Sequence, residues 1–202
     1  MMQQPRKHRL LCFALILALG ALMPACGGGG SDPDDNTSPL VATFTPSNTT
    51  PGASTINMTG SSAGQNFSVV VQVTGISDFF GAAFRVTFNS GSAQFVGFSS
   101  NGSFLTGVAT DFDAVINPAN AGEVIAYGTI QDVSQSAGID VAGTATLMTL
   151  NFRATASTSA NPFAFGTAAN RVVKICPTQS GACNNLAEPP LTWSGGTLTA
   201  SR

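Results

Sequence analysis

Hydrophobic and polar residues alternate with a period of two in short runs from about Ser54 to the end of the chain. The runs are rich in β-branched and aromatic residues, and Gly, Asn, Ser or Pro breaks them about every 8 to 12 residues. No window shows the 3.6-residue period of an amphipathic helix. The pattern therefore predicts an all-β fold, an antiparallel β-sandwich. The predicted strands are Ser54–Thr59, Asn66–Thr74, Gly81–Asn89, Ala93–Ser99, Asp111–Ile116, Glu123–Ile130, Thr144–Thr155, Pro162–Phe165, Arg171–Cys176 and Leu191–Ala200.

The alternation also assigns the side chains of each predicted strand to two opposite faces. We expect the apolar faces of two sheets to meet about 10 Å apart. About 150 residues suffice for one such core and not for two. The residues predicted to point inward are Phe84, Val86 and Phe88 in the third strand and Met148, Leu150 and Phe152 in the seventh. Those predicted to point the other way are Arg85, Thr87 and Asn89 in the third strand and Leu147, Thr149, Asn151 and Arg153 in the seventh.

The N-terminus has the order of an export signal. Basic residues in Arg6–Arg9 precede the apolar run Leu10–Leu22, and Ala25 stands just before Cys26. The apolar run is too short to cross a bilayer, which needs roughly 20 helical residues. The sequence therefore predicts a signal peptide at residues 1–25.

The junction at Cys26 resembles the lipobox of bacterial lipoproteins, in which the matching cysteine carries the lipid. Met23 and Pro24 depart from the residues usual in that motif. The resemblance implies a lipid anchor at Cys26, with no other membrane contact. It places the protein in the cell envelope, at the outer membrane or the cell surface. The alternative is a plain signal peptide followed by an incidental thiol.

Residues 26–53 are rich in Gly, Ser, Asp, Pro, Asn and Thr, apart from the apolar run Leu40–Phe44. This composition predicts a flexible tether that holds a folded domain, residues 54–202, away from the bilayer. Asp32, Asp34 and Asp35 lack the glycine and the distal glutamate of an EF-hand calcium loop, so we interpret them as part of a solvated linker.

Charge limits the possible partners. Without residues 1–25, five basic residues stand against ten acidic ones, a formal net charge of −5. A sparse, mildly acidic surface has no basic stripe with which to neutralise phosphates. We therefore expect neither nucleic acid nor anionic lipid as a partner.

The cysteines predict one disulfide. Cys12 leaves with the signal peptide and Cys26 takes the lipid, so Cys176 and Cys183 remain as a pair in an oxidising compartment. Closing so short a loop contributes roughly 2.5 kcal/mol in the chain-entropy model. A metal clip is the alternative, but it lacks a third or fourth His or Cys ligand.

Catalytic chemistry is scarce. The only histidine, His8, lies in the signal peptide. Asp111 and Asp113 form the tightest carboxylate pair on one strand face, and such a pair could serve a glycosidase across a sugar cleft. Nothing nearby supplies the aromatic walls of such a cleft. We therefore predict that the protein is not an enzyme, and we expect no cofactor and no metal site.

The order of the runs over residues 54–200 resembles a cohesin domain, the nine-stranded jelly-roll module of bacterial cellulosomes and of other surface proteins. The similar segments are Gln65–Val73, Phe80–Asn89, Phe95–Val96 with Gly102, Gly122–Tyr127, Gly143–Arg153 and Gly195–Thr199. The insertion that carries Cys176 and Cys183 departs from the family pattern. The resemblance implies a nine-stranded antiparallel sandwich with jelly-roll topology that binds rather than catalyses.

Cohesins bind dockerin modules through one sheet face, so the resemblance implies a protein partner. It maps the binding face onto Arg85, Thr87, Asn89, Tyr127, Thr129, Leu147, Thr149 and Asn151. Asn89 stands where many members of the family have an acidic residue. The alternative is that these residues merely hydrate an exposed face.

Polysaccharide is the alternative ligand, because some cellulose-binding modules share the jelly-roll plan. Sugars stack on exposed, coplanar aromatic rings. Only Trp193 and Tyr127 are natural candidates for such a platform. Trp193 is a possible glycan contact if its ring is exposed at a loop edge, and a packing residue if it plugs a turn.

Overall fold

A computed structural model describes residues 38–105, 109–131, 138–176, 183 and 187–202. They contain eleven β-strands and one turn of 3₁₀ helix, Ala168–Asn170, all within the unit Asn36–Arg202. No helix in these ranges is long and apolar enough to cross a membrane. The strands are β1 Val41–Pro46, β2 Thr55–Ala63, β3 Asn66–Thr87, β4 Ala93–Ser99, β5 Thr110–Asn117, β6 Asn120–Ile130, β7 Ile139–Ala154, β8 Thr158–Phe165, β9 Arg171–Ile175, β10 Thr192–Ser194 and β11 Gly196–Ser201.

The long strand β3 belongs to both layers of the sandwich. Its first half, Asn66–Thr74, pairs with β2 and β7, and its second half, Gly81–Thr87, pairs with β6, β8 and β9. Register shifts between Thr74 and Phe79 mark the bend. The first layer therefore has the order β4-β7-β3-β2-β10, and the second runs β5-β6-β3-β9. Strand β8 pairs with Val86 and Thr87 at the end of β3. On its other side β8 pairs with β11, and β11 pairs with β1.

This architecture confirms the predicted all-β jelly-roll sandwich. Two of the predicted strands merge into the bent β3, and the last predicted run divides at Gly195 into β10 and β11. The strand β10 lies parallel to β2, whereas the other ladders are antiparallel. The six residues predicted to point inward, Phe84, Val86, Phe88, Met148, Leu150 and Phe152, are all buried in one core.

The N-terminal boundary of the domain differs from the prediction. Strand β1 lies inside the segment predicted as a tether and pairs antiparallel with β11 from Val41↔Ser201 to Pro46↔Gly196. Leu40, Ala42 and Phe44 are buried, and the Phe44 ring packs 5.6 Å from that of Phe163. The apolar run in a polar segment was the signal for this strand. The predicted signal peptide, the predicted lipid attachment at Cys26 and the acidic linker residues all lie outside the described residues.

Leu147 is buried, which corrects its predicted place on an outward face. The ladder between β3 and β7 pairs Val71 with Met148 but the next residue, Gln72, with Thr146. Leu147 is therefore the extra residue of a β-bulge, and the bulge turns both Leu147 and Met148 toward the core. A Cβ on Gly128 would lie 2.7 Å from the Phe112 ring and 3.3 Å from Leu147 Cδ1, so the glycine makes room here.

The predicted disulfide between Cys176 and Cys183 is present, with Cα atoms 5.4 Å apart and both residues buried. It follows directly on β9. Beyond it, Ala187 forms a β-bridge with Ile175, and Glu188 forms an ion pair with Lys174. The disulfide thus fixes the returning chain beside the outer strand of the second layer.

Candidate functional site

The outward face of the second layer is built from β5, β6, the second half of β3, and β9. The strand register aligns its side chains in cross-strand rows. The first row is Asp111, Thr129, Gly81 and Lys174; the second is Asp113, Tyr127, Ala83 and Val172; the third is Val115, Ile125 and Arg85. We call these eleven residues the β5–β9 face. Their chain neighbours Val124, Ala126 and Val173 point into the core.

A shallow trough crosses the middle of this face. Gly81 and Ala83 form its floor, between Tyr127 and Thr129 of β6 and Val172 and Lys174 of β9, and the cavity measures about 250 Å³. A Cβ on Gly81 would lie only 2.5 Å from Thr129 Oγ1, so glycine keeps the floor low. The trough can accept an apolar side chain from outside.

The basic side chains around the trough already have acidic partners. Arg85 donates to Glu123 at 2.8 Å, and Asn117 donates to the same carboxylate oxygen at 2.6 Å. Lys174 is paired with Glu188. These pairs neutralise the β3 and β9 side of the face.

The two carboxylates on β5 have no cationic partner among the described residues. Asp111 Oδ2 accepts a hydrogen bond from the Tyr127 hydroxyl at 2.9 Å, and Asp113 Oδ1 accepts one from the amide of Ala114 at 2.8 Å. The β5 edge therefore carries two carboxylates that no cation in the described part of the chain neutralises.

The pKa of the Tyr127 hydroxyl responds to the two carboxylates. Its hydrogen bond to Asp111 raises its pKa above the ordinary value of 10.0, and desolvation and the charges of Asp111 and Asp113 raise it further. Each effect opposes a phenolate, because ionisation would cost the donated proton and add a charge beside two carboxylates.

We expect the absorbance of tyrosinate to appear at a higher pH in the folded chain than in the chain unfolded by guanidinium. Tyr127 is the only tyrosine, so the titration reports one group. Asp111→Ala removes both the hydrogen bond and the nearer charge, and it should move the midpoint back toward 10.0. A folded midpoint at or below that of the unfolded chain would contradict the hydrogen bond.

The predicted binding residues do not form one surface, which corrects the predicted face. Arg85, Thr87, Tyr127 and Thr129 do share the outward side of the second layer. Thr149 and Asn151 lie on the outward side of the first layer, where Asn151 accepts a hydrogen bond from Ser68 at 2.9 Å. The reason is that β7 pairs with the first half of β3, on the other side of the bend.

Asn89 lies in the turn just after β3, outside the strand to which it was assigned. The buried Asn161 holds this turn. Asn161 Oδ1 accepts from the Asn89 amide at 2.8 Å, and its Nδ2 donates to the Asn89 carbonyl and to Ser92 Oγ, each at 2.9 Å. Asn89 is exposed at the rim of the sandwich.

Several residues of the β5–β9 face were not predicted as binding residues: Gly81, Ala83, Val115, Ile125, Val172 and Lys174. Gly81, Ala83 and Ile125 lie at period-two positions from Arg85 or Tyr127, and this signal would have found them. Val115, Val172 and Lys174 lie on β5 and β9, so only the strand pairing brings them to this face. Asp111 and Asp113 were considered only as a catalytic pair. They lie on an open sheet face and not across a cleft. No group of three or more His, Cys, Asp or Glu in the described part of the chain could hold a metal ion.

Trp193 is packed against protein. Its ring centroid lies 4.8 Å from that of Phe165 and 6.3 Å from that of Phe84, and Arg171 Cζ lies 5.3 Å from it. Three side chains thus contact the half-buried ring. Trp193 does not form the free platform that sugar stacking requires.

Structures similar to this chain are cohesins. It superposes with a TM-score of 0.54 on the type II cohesin dyad from the adaptor ScaA scaffoldin of Acetivibrio cellulolyticus, at 12% identity, covering 73% of this chain and 48% of that one. The chain therefore spans about half the length of that dyad. A type II cohesin domain from the cellulosome of the same organism gives a TM-score of 0.51 at 10% identity, covering 80% of this chain and 95% of that one. These likenesses show the fold.

None of the curated proteins searched matches the sequence. A family model for the cohesin domain matches residues 52–174, more than half of the chain. The match begins before β2 and ends one residue before the end of β9, so it includes β3, β5 and β6 in full and all but the last residue of β9. The chain therefore belongs to the cohesin domain family.

Proposed function

We propose that the protein is a lipid-anchored, non-catalytic module of the cell envelope whose β5–β9 face binds a dockerin-type protein module. Cohesin domains are binding modules that recognise dockerins, and this supports the kind of partner. The Ala25–Cys26 junction after a basic and an apolar segment supports the anchor. Mass spectrometry of the chain extracted from envelopes tests the anchor. The unaltered chain should carry the added mass of the lipid, and the Cys26→Ser variant should not.

One observation carries the choice of surface: the outward side of the second layer is open and holds apolar side chains in and beside the trough. A sheet that buries one side in a core can present the other to water or to a partner. On this open side Val115 is 46% exposed and Ile125 is half-buried beside it, while Ala83 is exposed in the trough. Apolar side chains on a flat, open surface are typical of a binding site for another protein.

An arginine in the trough should abolish binding. We expect Ala83→Arg to weaken binding to dockerin modules at least about 100-fold, because the side chain fills the trough and would bury an unpaired charge at the interface. The matched control is Asn151→Arg, which adds the same side chain at the centre of the other layer. Isothermal titration calorimetry of the full chain against a panel of dockerin modules measures both variants, and circular dichroism checks that each is folded.

Asn151→Arg should bind as the unaltered chain does. The proposal fails if no dockerin binds the unaltered chain. The choice of surface fails if the two arginine variants bind equally well.

A further inference from the structure

We propose that the free edge of β5 is a pairing site for β5 of a second copy of this chain, and that Asp113 keeps the edge closed by capping the amide of Ala114. The inference goes beyond the proposed function, because it concerns the backbone edge of the sheet and not the face that binds a different protein.

Strand β5 is the outer strand of the second layer, and among the described residues it pairs only with β6. The amide of Gln131 donates to the carbonyl of Ala109 at 2.8 Å, so Ala109 turns its backbone groups toward β6. In an antiparallel ladder every second residue turns to the same neighbour. The backbone groups of Phe112, Ala114 and Ile116 therefore point away from β6, toward the free edge.

Asp113 closes this edge at its centre. Its Oδ1 accepts a hydrogen bond from the amide of Ala114 at 2.8 Å. This amide is one of the groups that a further strand would use, and it has a single hydrogen to donate. An incoming strand would therefore have to displace the carboxylate. Charged side chains at sheet edges are a common protection against pairing with another chain.

The sequence of β5 is complementary to itself in one antiparallel register. If Ala114 lies opposite Ala114 of the second copy, the two residues can exchange a pair of backbone hydrogen bonds. Phe112 then lies opposite Ile116 on the core side, and Asp113 lies opposite Val115 on the outward side.

This register would cover apolar side chains that a single chain leaves accessible. Phe112 and Ile116 are only partly buried at the margin of the core, and Val115 is 46% exposed. No carboxylate would lie directly opposite another, so the pairing avoids the like-charge pairs that destabilise a ladder. A second copy is therefore a suitable occupant of the edge once the cap on Ala114 is removed.

Two variants at one position test the inference with the same change in net charge. Asp113→Ala leaves the Ala114 amide uncapped, whereas Asp113→Asn removes the charge but keeps a side-chain oxygen that can accept from this amide. Every chain in the comparison also carries Cys26→Ser, so that no lipid is attached. Sedimentation velocity at increasing protein concentration measures dimerisation, and circular dichroism checks that each chain is folded.

We expect the Asp113→Ala chain to dimerise at least about tenfold more tightly than the chain that keeps Asp113, because one amide in each copy is released for pairing. The Asp113→Asn chain should stay within about threefold of the chain that keeps Asp113, since its cap remains.

A pair of cysteines tests the register. Asp113→Cys with Val115→Cys places position 113 of one copy opposite position 115 of the other. Cα atoms at such a pair lie about 4.5 Å apart, within the range that a disulfide bridges. Peptide mapping of the oxidised dimer should find cross-links between positions 113 and 115. Cross-links only between like positions would overturn the register.

The dimerisation measurements decide the rest. The inference is wrong if Asp113→Ala dimerises no more tightly than the chain that keeps Asp113. Equal dimerisation of Asp113→Ala and Asp113→Asn would mean that charge alone closes the edge, which overturns the role of the cap. Dockerin binding is measured separately, so its failure would leave this inference standing.

Discussion

Replacing Phe152 with alanine should lower the free energy of unfolding by about 3 to 5 kcal/mol, the range for removing a large aromatic side chain from a packed core. Phe152 is 1% exposed, and its ring centroid lies 5.0 to 5.4 Å from those of four others. These rings belong to Phe67, Phe88, Phe95 and Phe163. They come from both layers and from the turn after β3, so one cavity would loosen contacts between several strands at once.

Unfolding in guanidinium, followed by circular dichroism, measures the loss. Phe98→Ala is the matched control, because it removes the same ring from the outer strand β4, where Phe98 is only partly buried. We expect Phe98→Ala to lower the free energy of unfolding by less than half as much as Phe152→Ala does. Equal losses would mean that Phe152 is not the centre of the core.

Replacing Leu147 with aspartate should destabilise the fold by more than about 4 kcal/mol or prevent folding, because a carboxylate at a position that is 0% exposed loses its hydration. The matched control is Thr149→Asp, two residues along the same strand. Its side chain points outward, and changes at such positions are usually within about 0.5 kcal/mol.

Thermal and guanidinium unfolding of the two aspartate variants decide the orientation of Leu147. If Leu147→Asp were as stable as Thr149→Asp, strict alternation through β7 would be correct and the bulge would be wrong. A clear difference confirms that the bulge sets the inward direction of Leu147.

The strands were predictable because each follows a local pattern. Alternation correctly placed Phe84, Val86 and Phe88 inside and Arg85 outside. Leu147 was missed because one inserted residue reverses the alternation, and nothing in the local sequence distinguishes that bulge from a regular strand. Strand β1 was missed because its six residues are stabilised by pairing with β11, from Val41↔Ser201 to Pro46↔Gly196, and these partners are far apart in the sequence.

The candidate site was only partly predictable for a different reason. Alternation tells on which side of a strand a residue lies, but not to which layer the strand belongs. Tyr127 and Asn151 both point away from the core, yet they lie on opposite layers because β6 and β7 pair with different halves of β3. That choice depends on pairing between distant segments, which a single sequence does not reveal.

The pairing of β1 with β11 has a mechanical consequence. If the protein is held at its N-terminus while a partner pulls on the β5–β9 face, tension enters the domain at Val41. The force then meets six cross-strand pairs and the buried side chains of Leu40, Ala42 and Phe44 before it reaches the rest of the sandwich. The detachment of strand β1 from β11 would therefore set the force at which the domain begins to unfold.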